Sequence, residues 1–216
     1  GAGAVLFHEL LSQSKSLSLK TALAFSQYAV ILLPAAGSLV IILMVTKFPD
    51  LASEKGVLSV IKAIVSRNGY ISIRTTLFNF AGSLVSIGTG APLGPEAPSA
   101  QIGCGIGSFL SRKMKLSAGD VRMYAAAAGG AAVAAVFNAP IAGVFFGVEV
   151  LLLNDMKNNA LSALVIACVT SDLVSRHLMG SEKVFAFPSF AQAEIPAFPY
   201  LILLGLRCGF YSLVYS

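Results

Sequence analysis

The chain has 216 residues, 56% hydrophobic and 12% charged, with a formal net charge of +5 and a mean hydropathy of +0.80. A soluble domain carries roughly a quarter charged residues, so the composition argues against a water-facing surface and for a lipid-facing one. The positive charge does not signal nucleic acid. Basic residues sit singly or in short groups between apolar runs, as at Lys15/Lys20, Arg67/Arg74 and Arg112/Lys113/Lys115, with no aromatic-basic pattern beside them.

The sequence opens Gly1-Ala2-Gly3-Ala4 inside an apolar pattern, without an initiator Met or a signal peptide, and so reads as cut at its start. Apolar stretches follow at 21–46, 76–93, 97–111, 123–153, 160–174 and 196–215. Several are shorter than the about 20 helical residues needed to cross ~30 Å of hydrocarbon. Others are broken by Gly and Pro at the apparent bilayer midplane, at Gly88–Pro95 and at Phe137-Asn138-Ala139-Pro140. A bilayer tolerates interrupted helices only where protein or a watery cavity satisfies the freed backbone groups, and such interruptions point to a transporter or channel site. Kinked but continuous helices are the alternative. The expected fold is an all-α integral membrane protein of tilted, broken transmembrane helices.

Between Arg74 and Arg112 the only ionisable side chain is Glu96. A carboxylate in a membrane segment costs at least ~2.5–3.5 kcal/mol on insertion scales, which favours a functional reason for it. It lies in Gly94-Pro95-Glu96-Ala97-Pro98, where Gly and Pro mark a helix start. A helix N-terminus in low dielectric presents unpaired N–H groups and about half a positive charge. Glu96 and a small anion are therefore expected to compete for one electropositive pocket, with the N–H groups of about Glu96–Ser99 as ligands.

Further along, 125–135 is built of Ala, Gly and Val, which lets a membrane helix approach its neighbours closely. Gly103, Gly105 and Gly107 serve the same end in the preceding segment. Glu149, the only ionisable residue between Arg122 and Asp155, either lines an aqueous path or caps backbone at a helix end. The cysteines Cys104, Cys168 and Cys208 lie far apart in apolar surroundings and read as buried small hydrophobes. No metal site, disulfide, cofactor or enzymatic constellation is expected. Gly103-Cys104-Gly105-Ile106-Gly107 lacks the strand that a nucleotide fingerprint requires.

At Gly94–Pro98 the sequence resembles the CLC family of chloride channels and chloride–proton antiporters. The stretch from Gly90 to Gly103 is similar to the family's G-R-E-G-P segment, and Phe137–Glu149 resembles a second family signature at matching spacing. The resemblance implies the first repeat of an inverted-repeat pore fold spanning 1–216, a second repeat beginning near 197, and a homodimer with a pore in each subunit. It also implies a gating role for Glu96, and anion ligation by Gly94, Pro95, Glu96 and Ala97 together with Lys55 and Gly56. Pro95 and Ala97 depart from the usual Arg and Gly. Lys55 stands where a small hydroxyl residue contacts the anion; its ammonium either attracts anions or snorkels to the interface.

Val150 stands where proton-coupled members carry an acid next to the Glu149 position, and a side chain without a titratable proton relays none. The expected function is passive, channel-like conduction of chloride or a similar small anion. Proton-coupled exchange by an atypical route and a non-conducting half-length assembly or regulatory subunit are the alternatives. The resemblance implies the lipid bilayer, a second copy and the missing C-terminal half as partners. A bacterial inner membrane and an organelle membrane both fit.

Overall fold

A computed structural model describes residues 2–25, 29–53, 56–153, 160–179 and 198–215. Among them the structure is helical: α1 (Ala2–Phe25), α2 (Ala29–Lys47), α3 (Pro49–Ala52), α4 (Gly56–Ser66), α5 (Ile73–Gly88), α6 (Glu96–Lys113), α7 (Ala118–Phe137), α8 (Pro140–Phe145), a π-helical turn over Phe146–Leu151, α9 (Ala160–Met179) and α10 (Phe198–Tyr215). The chain forms two compact units, Gly1–Glu182 and Lys183–Ser216. Residue 197, near which a second repeat is expected, lies outside the described residues.

Both proposed interruptions are breaks rather than kinks. α5 stops at Gly88 and α6 starts at Glu96, with non-helical chain between. α7 begins at Ser117, whose Oγ accepts from the Asp120 N–H at 3.3 Å and donates to Asp120 Oδ2 at 2.6 Å, an N-cap that satisfies an orphan donor. It ends at Asn138 in the left-handed region, φ 52° and ψ 39°. Asn tolerates that conformation better than most residues with a side chain. Pro140 then opens α8, where its missing N–H is no loss.

Two helices, Ala118–Phe137 and Ala160–Leu178, are long and apolar enough to cross a membrane, among the described residues. Gly56–Ser66 and Pro140–Leu151 are shorter apolar helices.

Small residues set the packing of the first unit. A Cβ on Gly103 would strike the Ala128 carbonyl, and one on Gly107 would come within 2.7 Å of the Tyr124 carbonyl oxygen, so α6 and α7 meet nearly backbone to backbone. Gly130 on α7 and Gly143 on α8 face each other in the same way. α9 is stitched to α7 by hydroxyls: Ser171 Oγ donates to the Ala131 carbonyl at 2.7 Å and Ser175 Oγ to that of Ala135 at 3.1 Å. The core joins Val60 and Ile64 of α4, Cys104 of α6 and Ala126 of α7 with Leu151 and Leu164.

Cys104 and Cys168 are buried as expected, but Cys208 is exposed. It sits on α10 in the second unit, where the described side chains are exposed along the helix and leave no interior for it.

Candidate functional site

α6 starts at Glu96, with Pro95 as its N-cap and no side chain capping it. The sequence suits this start. Pro95 has no N–H to leave unpaired, Pro98 falls in the first turn where none is needed, and Arg112 and Lys113 sit in the last turn against the negative end of the dipole. The Ser99 N–H donates to the Pro95 carbonyl at 3.0 Å, so it is not available to a ligand, contrary to the expectation for Glu96–Ser99. Pro98 carries none. The N–H groups of Glu96 and Ala97 are those left outside the helix's own ladder.

Near this helix start a cavity of about 610 Å³ opens. Gly94, Glu96, Ala97 and Pro98 line it, and so does Gly56, the first residue of α4. Gly56 has φ +70°, a conformation that favours glycine. Two helix N-termini thus border one space. Polar side chains of α5, Asn79, Ser83 and Ser86, line it as well, as does Gln101 of α6, while Ile41, Met44 and Val45 of α2 give it an apolar wall.

Glu96 is exposed in this chain, not enclosed as an acid in an apolar segment would suggest, because the cavity that holds it is open. Its carboxylate folds back over Gly94, where a Cβ would overlap it. The structure therefore brings together Gly56, Gly94, Glu96 and Ala97 of the expected set. Pro95 serves as the N-cap and is absent from the described lining. Lys55 lies outside the described residues. Glu149 sits apart, exposed on the π-helical turn, with Val150 beside it.

Sequence reasoning passed over four polar residues. Asp172 of α9 is 4% exposed and bonds Arg176 Nε through Oδ2 at 2.8 Å; the rule that singled out Glu96 would also have found an acid in the apolar run 160–174. Gln101 and Ser99, both buried, were read only as part of a motif, and the Ser99 hydroxyl has no partner among the described residues. Ser108 had no sequence signal at all. Its Oγ donates to the Gly69 carbonyl at 2.6 Å and accepts from the Ile71 N–H at 3.0 Å. Arg112, stacked 4.2 Å over the Tyr70 ring, adds a bond to the Ile71 carbonyl at 3.1 Å. Together these fix the turn before α5 against the far end of α6.

Among the described residues no group of three or more His, Cys, Asp and Glu could hold a metal ion.

Comparison with known proteins agrees with the architecture. A ClcB-like chloride channel protein of Ralstonia nicotianae is 32% identical over 174 residues, covering 79% of this chain and 40% of the relative. Chloride channel protein CLC-f of Arabidopsis thaliana is 30% identical over 208 residues, 90% of this chain and 25% of the relative. The H(+)/Cl(−) exchange transporter ClcA of Vibrio vulnificus is 28% identical over 195 residues, 87% and 41% respectively. The crystal structure of a slow cyanobacterial Cl−/H+ antiporter shares the fold, with TM-score 0.80 at 22% identity over 98% of this chain and 51% of that one. The chain spans about half or less of the length of these relatives. The sequence model of the voltage gated chloride channel family matches residues 37–216, and the chain belongs to that family.

Proposed function

We infer that this chain forms one half of a membrane protein that conducts chloride or a similar small anion, with Glu96 as the gate. The observation that carries the reading is the shared cavity at the starts of α4 and α6, with the Glu96 carboxylate folded over Gly94 inside it. Each helix start contributes about half a positive charge, and the N–H groups of Glu96 and Ala97 offer donors that the helix does not use. An anion gains from that position, and so does the tethered carboxylate. Occupancy by one excludes the other; protonation of Glu96 removes its claim and frees the path. In the whole protein a second half covers the open side of the cavity, and two copies assemble as a homodimer.

Passive conduction is favoured by Val150, which offers no titratable proton next to Glu149. Coupled exchange is favoured by the relatives named as H(+)/Cl(−) exchange transporters. Reconstitution of the protein that carries this chain into vesicles separates the two. Anion efflux without uphill proton movement is expected; a chloride gradient that drives protons uphill would establish exchange, and absence of any anion flux would remove the transport reading.

A further inference from the structure

We propose that Gln101 is a second, uncharged ligand for the anion in the Glu96 cavity and sets which monovalent anion the cavity prefers. The proposal rests on the reading of that cavity as an anion site. Gln101 is 4% exposed, yet its amide makes no hydrogen bond to another described residue, and it lines the cavity. A buried amide has two donor hydrogens and an acceptor oxygen to satisfy. With no hydrogen bond to another described residue, those groups are open to what the cavity holds, an ion or the water around one.

The rest of the lining narrows what that occupant is. None of the described lining residues is Lys or Arg; among them the attraction comes from the two helix starts, at Gly56 and Glu96, which sum to about one positive charge. That balances one monovalent anion or the Glu96 carboxylate, but not both. Among anions of equal charge, preference then falls to the neutral donors. Asn79, Ser83 and Ser86 recur at spacings of four and three on α5 and so share a face. Gln101 adds an amide from α6. A compact, strongly hydrated anion needs more donors to replace its water than a large, weakly hydrated one. Removing the Gln101 amide therefore penalises chloride more than nitrate.

The test uses the whole protein that carries this chain, reconstituted in vesicles with chloride or nitrate as the permeant ion. Gln101→Met keeps the volume and removes the amide. The nitrate-to-chloride flux ratio is expected to rise about threefold to tenfold, the span of one lost hydrogen bond. An unchanged ratio in that variant overturns the proposal. Should Gln101→Met fail to reach the membrane, Gln101→Asn carries the test: a shift in the same direction supports the assignment and the wild-type ratio overturns it. Absence of anion flux in the wild-type protein would overturn the anion site as a whole. Normal flux with an unshifted ratio would overturn only the role of Gln101.

Discussion

Arg176 Nη2 donates to the carbonyl of Asn138 at 2.9 Å, across 38 residues of sequence, while its Nε holds Asp172 Oδ2 at 2.8 Å. The guanidinium thus ties α9 to the carbonyl at the end of α7, where a helix leaves acceptors unpaired and carries negative partial charge. It also neutralises an acid otherwise enclosed by protein. A broken membrane helix needs such a tie, because the bilayer supplies no water to the freed carbonyls.

The two ends of this pair differ in exposure, with side chains 41% exposed for Arg176 and 6% for Asp172. Arg176→Ala strands a buried carboxylate, whose Oδ1 already has no partner among the described residues. It is expected to destabilise the protein by about 1–3 kcal/mol. Asp172→Ala leaves a cation that reaches its surroundings and is expected to cost less. Equilibrium unfolding of the solubilised protein measures both; a larger loss for Asp172→Ala would contradict this account of the pair.

Ser108 and Ser99 provide a second contrast, since both are fully buried on α6. Ser108→Ala removes one acceptor and one donor and orphans the Gly69 carbonyl and the Ile71 N–H, at an expected cost of about 1–3 kcal/mol. The Ser99 hydroxyl has no partner among the described residues, so Ser99→Ala removes an unsatisfied buried group and should be neutral or stabilising. Thermal unfolding of the two variants side by side decides the matter. Equal losses would mean that the Ser108 bonds contribute nothing.

Two glycines should fail in different ways. At Gly103 an added methyl meets the Ala128 carbonyl, which belongs to the backbone of α7 and cannot turn aside. Gly103→Ala is expected to lose about 1–3 kcal/mol through overpacking. At Gly94 the obstacle is the mobile tip of Glu96. Gly94→Ala should therefore keep its unfolding midpoint while changing the pH dependence of anion flux, because the carboxylate is pushed from its resting position. A Gly94→Ala protein with a wild-type pH profile would show that the contact has no part in gating.

The helix breaks were legible in the sequence because Pro and Gly at Gly88–Pro95 and Phe137–Pro140 act locally, through missing N–H groups and tolerated dihedrals. The close approach of α6 to α7 was legible for a similar reason: Gly103, Gly107 and the alanine run leave no side chain to hold the helices apart. Glu96 stood out because a lone carboxylate in an apolar stretch demands an explanation. The meeting of Gly56 with Gly94 and Glu96 was not derivable from spacing, since it depends on how α4 and α6 pack; only the family resemblance suggested it. α1 was obscured by Lys15 and Lys20, which interrupt its apolar pattern. The π-helical turn at Phe146–Leu151 left no mark in composition, because its extra residue per turn comes from packing rather than residue type.

Substitution of Glu96 by Gln tests the central claim most directly, with anion flux through the reconstituted protein measured across a pH series. The amide matches the protonated acid in shape and carries no charge to hold the helix-end position. Flux that no longer varies with pH, at or above the wild-type level, is the predicted result. A Glu96→Gln protein whose flux keeps the wild-type pH dependence would contradict the assignment of this residue as the gate.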